Sequence, residues 1–490
     1  MHFEIAKTIF GEGKTSKVFK TFEVINACLY KRCVMTRYAT GLWLIFLLFI
    51  GGCLKTIIFF QVFHDDPSRM MFRDSPSYVN SARALAAAGT FAVSPERPDI
   101  PQIVRTPGYP LFLAACFACF GERFPPVIFA QIAFSLGAVA AAYLLGARLW
   151  NRRVGLVAAA LLSLDVPSFV FSQFILTETL FTLTLTLAAL TGVMALQAAR
   201  RVCFWLALHG GCLAIAVLIR PIAACLIIFV PLLLLCDWRV WLRLTWREIA
   251  ARLGAFLLPS VLLVGGWQCR NAFIVGEPVI SGVQGEYLYF YVGAEMLALR
   301  DGISLDAAQQ CLFAEERYAA LPPETEPRRM LALESGWKRK GQALIRQYPA
   351  LFAQATLRRM AKTMLIPGEF SLSAYLGATP ETSGPINDFL TLPFRQFARK
   401  WAQERRWELA GFLGAAAHLG LTYAGVCASC WQLGRRRGGQ RALHGLLWLI
   451  LFYLLAVNGG NFRFRIPMMP LLSVYAAHGL CVCLKKSSIR

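Results

Sequence analysis

An aspartate and an arginine stand in two short motifs on either side of a predicted helix. Asp74 lies in RDSPSYVNSARAL, and Arg105 lies in RTPGYPLF. A carboxylate can accept a proton from a hydroxyl group within hydrogen-bond reach, and a guanidinium can hold a phosphate through paired N–H bonds. The structural alternatives are an N-cap at Asp74 and, at Arg105, an arginine that extends from a membrane edge into water. The motifs therefore predict either an anion site or two structural residues.

Further charged and amide side chains stand at the ends of apolar runs. Glu178 lies in ILTETLF, Arg270 and Asn271 follow VLLVGGWQC, and Arg463 and Arg465 lie in NGGNFRFRIPMMP. A charged group inside or beside a membrane segment is costly, so it usually has a partner or a function. For Glu178 the structural alternative is a partnership with an arginine.

The step that follows Arg105 is rich in proline. Pro107 favours an extended approach to the step, and Gly108 predicts an unusual turn. Tyr109 comes next and is included among the substrate-binding candidates.

The composition is that of a membrane protein. The chain has 490 residues, of which 57% are hydrophobic and only 16% are charged. Several runs of about 17–25 residues carry almost no charge, and that length crosses a bilayer. The net charge of +22 falls in short clusters between these runs, as the positive-inside rule describes for cytoplasmic loops. This distribution argues against an ordinary soluble domain and against a nucleic-acid partner.

The apolar runs predict ten membrane spans, or 11–13 if ambiguous runs also cross. The ten cover residues 41–63, 125–149, 154–172, 176–197, 203–219, 222–236, 250–267, 408–432, 442–457 and 466–484. The run PLFLAACFACFG from Pro110 is short for a span, and counting it would place the basic motifs NRR and AARR outside. We therefore predict a non-spanning helix there.

This topology gathers the unusual polar residues on one face of the membrane. Residues 64–125 become a first extracytoplasmic loop, and residues 268–406 become a long extracytoplasmic segment. The short turn that contains Arg463 and Arg465 faces the same side, against the usual bias for arginine. Together with Arg105 and Arg270, these arginines indicate an anionic ligand at the outer leaflet.

The predicted fold class is an all-α polytopic membrane protein without strands. Its parts are a cytoplasmic tail over 1–40 with Met35 as an alternative start, a membrane module over 41–267, the segment 268–406, C-terminal spans over 407–484 and a cytoplasmic tail over 485–490. The long segment contains three amphipathic stretches that predict helices: LDAAQQCLFAEERYAALP, MLALESGWKRKGQALIRQYP and the basic YPALFAQATLRRMAKTMLIPG. Cys269 and Cys311 could form a disulfide in this segment if its compartment is oxidising.

The motifs, taken in order, resemble the GT-C membrane glycosyltransferases. RDSPSYVNSARAL, RTPGYPLFLA, LTETLF, GGWQCRNAFIVGEPV and NFRFRIPMMPLL carry the resemblance, which runs from about Trp43 to Leu484. The most similar branch is the protein-mannosyltransferase and aminoarabinose-transferase type, which uses polyprenyl-phosphate sugars. The resemblance implies a GT-C-like bundle with extracytoplasmic loop helices and transfer of a hexose or pentose to an acceptor hydroxyl.

The resemblance also implies roles for individual residues. Asp74 would be the catalytic base, Arg105 would contact the donor phosphate, and Arg463 and Arg465 would help to hold the lipid phosphate. The remaining candidates for donor or substrate binding are Tyr109, Glu178, Arg270 and Asn271. The chemistry is coherent because a lipid phosphate is already a good leaving group, so the site needs cationic charge and a base. In-line displacement would invert the anomeric centre.

Two departures from the family pattern concern a metal ion. Related enzymes often place an acid beside the donor-binding basic residue, sometimes as a metal ligand, whereas this chain has Val104 there. A second acid often adjoins the loop aspartate, whereas Arg73 and Ser75 flank Asp74. We therefore predict no metal ligands and name no certain cofactor, with a divalent metal as the alternative.

Other membrane functions stay open on the sequence alone. A transporter or a lipid-linked glycan flippase would place polar groups at mid-membrane, often in repeated halves. A lipid-linked glycan polymerase or ligase would share the outer-leaflet donor, and a non-catalytic scaffold would need no base. The expected partners are a polyprenyl-phosphate-linked sugar, membrane lipids and a glycan, glycolipid (such as lipid A) or protein acceptor. The expected location is a bacterial inner membrane, with the site facing the periplasm.

Overall fold

A computed structural model describes residues 12–238, 243–316, 326–368, 375–376, 394–400, 406–435, 441–457 and 459–487. The helices are α1 (Glu12–Asp65), α2 (Ser75–Ala88), α3 (Gly108–Phe120), α4 (Phe124–Leu149), α5 (Arg152–Ser163), α6 (Val166–Phe171), α7 (Glu178–Gln197), α8 (Val202–Ile219), α9 (Leu226–Cys236), α10 (Trp246–Ser260), α11 (Gly266–Val275), α12 (Ala294–Asp301), α13 (Leu305–Glu315), α14 (Pro327–Gln347), α15 (Pro349–Leu365), α16 (Phe394–Arg399), α17 (Arg406–Arg435), α18 (Arg441–Ala456) and α19 (Met469–Ser487). Residues 1–11 and 488–490 of the predicted tails lie outside the described residues, as does Asn458 of the NGGNFRFR motif.

The helices form an integral membrane protein. Within the described residues, seven helical stretches are long and apolar enough to cross a membrane: Ala39–Asp65, Phe124–Leu149, Glu178–Gln197, Val202–Ile219, Trp246–Val275, Leu409–Arg435 and Phe462–Leu484. Three shorter apolar helices accompany them: Gly108–Phe120, Pro221–Cys236 and Arg441–Ala456. All of the predicted spans except 154–172 correspond to one of these stretches, which confirms the polytopic helical architecture. The predicted polar tail is continuous with the first span, because α1 begins at Glu12.

The predicted span over 154–172 is wrong as a single helix. The chain forms α5 as far as Ser163 and then restarts as α6 at Val166. Asp165 caps the new helix, since its carboxylate accepts hydrogen bonds from the Ser168 backbone N–H at 3.0 Å and from the Ser168 hydroxyl. Asp165 at the N-cap with Pro167 in the first turn is a helix-start signal. The prediction of a span rested on the apolar character of the whole run, which does not reveal such a signal.

The first loop contains a β-hairpin that the sequence analysis did not predict. Strand β1 (Ala92–Ser94) pairs antiparallel with β2 (Arg97–Pro101), and Ser94 lies opposite Arg97. Strands of three and five residues are too short to show a clear period-two pattern, which is why the sequence did not predict them. Within the described residues, this hairpin corrects the prediction of a fold without strands.

The long segment after α11 contains the three predicted amphipathic helices, as α13, α14 and α15. Phe290 and Trp337 anchor its own small apolar core, with ring centroids 5.1 Å apart. Cys269 and Cys311 are free, exposed thiols among the described residues, so the structure does not contain the disulfide considered above.

The main apolar core lies between the spans, where α7 packs on α8, α4 packs on α5 and α17 packs on α19. Gly108 has a different role from the predicted turn. It begins α3, and a Cβ at this position would lie 2.7 Å from the carbonyl oxygen of Leu218 near the end of α8. Only glycine allows the two backbones to approach this closely.

Candidate functional site

Asp74 precedes α2, but its side chain faces two arginines. It occupies the N-cap position, yet among the described residues no helix N–H donates to its carboxylate. Oδ1 accepts a hydrogen bond from Arg105 Nη2 at 3.1 Å. Oδ2 accepts from Nη1 and Nη2 of Arg463 at 3.3 and 3.2 Å. The Asp74 carboxylate therefore binds the two arginines and does not cap the helix.

Arg463 connects Asp74 to a second, deeper carboxylate. Its Nε donates to Oε1 of Glu178, the first residue of α7, whose side chain is fully buried. Arg220 Nη1 donates to the same oxygen at 2.6 Å. The arginine partnership considered for Glu178 is thus present, and it involves two arginines.

The five side chains of this cluster carry one positive charge in excess. Three guanidinium groups, from Arg105, Arg220 and Arg463, surround the carboxylates of Asp74 and Glu178. Burial favours the neutral form of Asp74, but the charges and hydrogen bonds of Arg105 and Arg463 outweigh it and lower the pKa of Asp74. Asp74 is consequently ionised at neutral pH, and the cluster favours an anionic ligand.

The turn between α6 and α7 fixes the position of Asp74. The neighbouring Ser75 hydroxyl donates to the carbonyl of Ile175 at 2.7 Å. In the opposite direction the Ile175 N–H donates to the carbonyl of Met70 at 3.0 Å. Ser75 is fully buried, so these bonds hold the start of α2 against the turn that leads directly into Glu178.

A buried lysine supports the same turn from within the membrane. Lys55 of α1 is 5% exposed, and its Nζ donates to the Ser172 hydroxyl at 2.8 Å and to the Phe169 carbonyl at 3.1 Å. The sequence analysis did not single out Lys55, although a lone charge inside an apolar run is the signal that identified Glu178.

Tyr109 supports the site through Gln131 and Tyr78. Its buried hydroxyl donates to Gln131 Oε1 at 2.6 Å, and the Gln131 amide donates to the Phe174 carbonyl at 2.7 Å. Its ring packs edge-on against Tyr78, with centroids 5.3 Å apart, and the Arg105 guanidinium lies over the Tyr78 ring at 4.8 Å.

Arg270 and Asn271 lie apart from the cluster. Arg270 donates to the carbonyls of Gln102 and Phe91 at 2.7 and 3.0 Å, and thereby holds the hairpin. Asn271 is fully buried, accepts a bond from Arg270 and donates to the Val279 carbonyl at 2.8 Å. In this structure both side chains connect loop segments.

Arg465 also points away from Asp74. Its side chain is 1% exposed and donates to the carbonyls of Thr363, Met364, Ile366 and Pro367 at distances of 2.7 to 3.2 Å. These carbonyls end α15, where unpaired acceptors and the helix dipole favour a cation. Of the two arginines in the motif, only Arg463 contacts the cluster.

The segment that follows α11 borders Arg105. The Ser281 hydroxyl donates to the Val104 carbonyl at 2.6 Å, and the Gly282 N–H donates to the Ile103 carbonyl at 3.0 Å. The helical segment that begins at Gln284 therefore starts beside the site. It brings Glu286 towards Arg105. Burial acts to lower the pKa of Arg105, but Tyr78, Asp74 and, to a smaller extent, Glu286 together raise it above its usual value.

Arg220 is the cluster residue that the sequence analysis missed. It ends an apolar run on the face predicted to be extracytoplasmic, in VLIRPIAA. The argument that singled out Arg463, an arginine against the positive-inside bias, applies equally to this position.

Asp74 and Glu178, the two acids of the cluster, are both paired with arginines. In the part of the chain that the structure describes, no three His, Cys, Asp or Glu side chains group as metal ligands. What the arrangement can do is bind an anionic group through Arg105 and Arg463 and present a carboxylate next to it.

Comparison with known proteins agrees with the sequence motifs. The family model described as dolichyl-phosphate-mannose-protein mannosyltransferase matches residues 104–264. The matched range includes Arg105, Tyr109, Glu178 and Arg220, and it ends before Arg270 and Arg463. No curated protein matches the chain.

The chain also matches two solved structures at low sequence identity. The apo oligosaccharyltransferase of Archaeoglobus fulgidus is 13% identical, with a TM-score of 0.47, and the match covers 91% of this chain and 51% of that one. ArnT from Cupriavidus metallidurans bound to undecaprenyl phosphate is 13% identical, with a TM-score of 0.37, and the match covers 88% of this chain and 77% of that one. The chain thus spans about half the length of the archaeal protein. The family match over 104–264 confirms the resemblance to polyprenyl-phosphate-dependent glycosyltransferases that the motifs indicated.

Proposed function

We propose that this protein is an integral-membrane glycosyltransferase, which moves a sugar from a polyprenyl-phosphate carrier to an acceptor hydroxyl. The observation that carries the proposal is the Asp74 carboxylate held between Arg105 and Arg463, with hydrogen bonds of 3.1 to 3.3 Å. The family match and the bound undecaprenyl phosphate named for ArnT agree with a lipid-phosphate donor.

Arg105 and Arg463 would hold the donor phosphate. As the bond between the sugar and the phosphate breaks, negative charge grows on the phosphate oxygens, and two fixed guanidinium groups stabilise it. Arg463 suits this role because Glu178 already fixes its Nε, which leaves the other two nitrogens directed at Asp74. Glu178 and Arg220 would then position Arg463 without contacting the reacting atoms.

Asp74 would take the proton from the acceptor hydroxyl. With both arginines on Asp74, the lowered pKa makes the carboxylate a weak base. A donor phosphate that shares these arginines would relax their hold on Asp74, so its pKa would rise and its basicity would increase. Donor binding and activation of the base are linked in this scheme. Attack from the face opposite the phosphate would invert the anomeric centre.

The site would face the extracytoplasmic side of a bacterial inner membrane. The basic clusters lie between the predicted spans on the opposite side, which supports this orientation. The acceptor would be a glycan, a glycolipid or a protein.

The test is mass spectrometry of membrane glycolipids, surface glycans and glycoproteins from the wild type, a deletion strain and Asp74→Asn at matched protein level. We expect the deletion and Asp74→Asn to lose the same pentose- or hexose-sized increment, since loss of a general base reduces the rate by about 10²- to 10⁴-fold. Asp99→Asn is the matched control, because Asp99 is 63% exposed in the hairpin and pairs with Arg97 of the same strand.

If the increment survives in Asp74→Asn but disappears in the deletion, Asp74 is not the base, and another base or a transport role becomes the better explanation. If the deletion changes no glycan, the transferase proposal is wrong. Uptake of labelled lipid-linked sugar into vesicles then tests the transporter and flippase alternative directly.

A further inference from the structure

The helical segment beside Arg105 exposes one aromatic ring among buried neighbours. Residues Tyr287–Gly293 form a π-helical turn, a widened geometry that is frequent at functional sites. Within it Tyr289, Phe290 and Val292 are at most 5% exposed, whereas Tyr291 is 40% exposed. The ring of Tyr291 is therefore presented to solvent by a backbone that is itself held in place.

Contacts on the opposite face make this segment rigid. Phe290 is fully buried and packs on Phe313 and Trp337, with ring centroids 4.8 and 5.1 Å away. At the start of the segment, the Glu334 carboxylate accepts hydrogen bonds from the N–H groups of Gly285 and Glu286 at 2.6 and 3.2 Å. The position of Tyr291 is consequently fixed before any ligand binds.

Tyr291 lies next to the candidate site. The segment begins where Ser281 and Gly282 bond to the carbonyls of Val104 and Ile103, directly before Arg105. Burial is the main cause of the raised pKa of Tyr291, and the charges of Glu286, Arg73, Asp74 and Arg105 also act on this hydroxyl. Asp74 and Arg105 are thus close enough to Tyr291 for their charges to act on its hydroxyl.

A second tyrosine supports the ring from behind. Tyr287 stacks on Tyr291 with centroids 6.2 Å apart and an angle of 21° between the ring planes. The two rings are therefore nearly parallel, and both belong to the segment that starts beside Arg105. Aromatic faces bind apolar surface, and the C–H face of a sugar ring is the apolar surface that a polyprenyl-phosphate sugar would present there.

We propose that Tyr291 is a platform for the donor sugar, with its ring stacked on the C–H face of the sugar while Arg105 and Arg463 hold the phosphate. This inference rests on the proposed function. It assigns recognition of the sugar to a residue other than those that hold the lipid phosphate.

The test compares ligands with and without the sugar on the full-length protein in nanodiscs. The probes are farnesyl phosphate and farnesyl phosphate esters of glucose, mannose and 4-amino-4-deoxyarabinose. We expect the wild type to bind at least one ester about tenfold more tightly than farnesyl phosphate, and Tyr291→Ala to lose most of that difference. Farnesyl phosphate itself should bind Tyr291→Ala as it binds the wild type. Tyr291→Phe should behave as the wild type, because the ring and not the hydroxyl makes the contact.

Phe273→Ala is the matched control, since Phe273 is an aromatic residue near the end of α11 whose side chain is 90% exposed. An equal loss of farnesyl phosphate and ester binding in Tyr291→Ala would overturn the platform, as would a wild type that prefers no ester or a Tyr291→Phe variant as weak as Tyr291→Ala. Failure of the wild type to bind farnesyl phosphate at all would instead contradict the proposed function.

Discussion

Arg463 is the side chain on which the charged cluster depends. It contacts both carboxylates, Asp74 and Glu178, through different nitrogens of one guanidinium. Only 13% of its side chain is exposed, so these contacts are largely shielded from water and salt. A planar group with several fixed donors can bridge two acids, whereas an ammonium group cannot do so at the same distances.

Substitution of Arg463 by lysine tests this dependence. We expect Arg463→Lys to weaken farnesyl phosphate binding by about tenfold or more, because a lysine loses the paired donors that recognise phosphate. Binding is measured by titration in nanodiscs. Arg69→Lys is the control, since Arg69 forms a separate ion pair. Its Nε lies 3.5 Å from Oδ2 of Asp66. Normal phosphate binding by Arg463→Lys would remove Arg463 from the donor site.

At the scale of single elements, the carbonyl groups at the end of α15 are bound by a buried arginine from another part of the chain, Arg465. The four carbonyls that accept bonds from Arg465 belong to the last turn of α15 and the residues just after it. Arg465 belongs to the turn before α19, so one side chain joins the long loop segment to the final span.

Removal of this charge should destabilise the fold and leave ligand binding intact. We expect Arg465→Gln to lower the free energy of unfolding by roughly 2–5 kcal/mol, since several buried carbonyls lose a charged donor. The apparent melting temperature in detergent reports the loss. Below that temperature, farnesyl phosphate should bind the variant and the wild type alike. A variant of normal stability that binds phosphate weakly would return Arg465 to the phosphate site predicted from the sequence.

The helical segment that presents Tyr291 depends on an acid with an unusual pKa. Glu334 is 4% exposed, and burial raises its pKa to about 7, while its bonds to the backbone of Glu286 and Gly285 only partly oppose the rise. Because the folded-state pKa lies above the unfolded value, the folded protein binds the proton more tightly. The contribution of Glu334 to stability is therefore fully present below about pH 4.5 and is lost as the pH rises through about 7.

Glu334→Gln should reduce this pH dependence. Glutamine keeps an oxygen acceptor for the two N–H groups but does not ionise, so up to about 3 kcal/mol of pH-dependent stability should disappear. The measurement is the change in apparent melting temperature between pH 5 and pH 8 for the variant and the wild type. Glu326→Gln, at the exposed start of α14, serves as the control. Identical pH dependence in Glu334→Gln and the wild type would contradict the raised pKa.

At the scale of the whole molecule, charge and aromatic chemistry gather at one end of the bundle. Asp74, Arg105, Glu178, Arg220 and Arg463 come from five separate stretches of chain that end or begin there. Such an arrangement suits a ligand whose head lies at the membrane surface and whose tail lies in the bilayer.

The orientation of the bundle can be tested on the unmodified protein. Cys311 of α13 and Cys203 of α8 are both exposed thiols, and the predicted topology places them on opposite sides of the membrane. We expect a membrane-impermeant maleimide to modify Cys311 in intact cells and Cys203 only after lysis, as quantified by peptide mass spectrometry. The reverse pattern would contradict the orientation. Labelling of Cys311 only after reduction would indicate a disulfide in place of the free thiol.

Local signals in the chain predicted individual helices well. Gly89, a residue type that commonly ends helices, ends α2 in the left-handed conformation with φ of 66°. The amphipathic periods of α13 to α15 were equally readable. These signals failed at Asp165, where a helix-start signal lies inside an apolar run. They also failed in the hairpin, whose strands are too short to show a period.

The sequence by itself determined that this is a polytopic membrane protein, with Asp74, Arg105, Glu178 and Arg463 as candidates, because apolar length and misplaced charge are local properties. Only the tertiary structure decided which candidates meet. Asp74 and Arg463 are separated by 389 positions in the chain, and their contact depends on how the last span packs against the first loop. Arg463 and Arg465 are two residues apart in a tight turn, so their side chains point in different directions, one to the cluster and one to the end of α15. Spacing along the chain could not show that divergence.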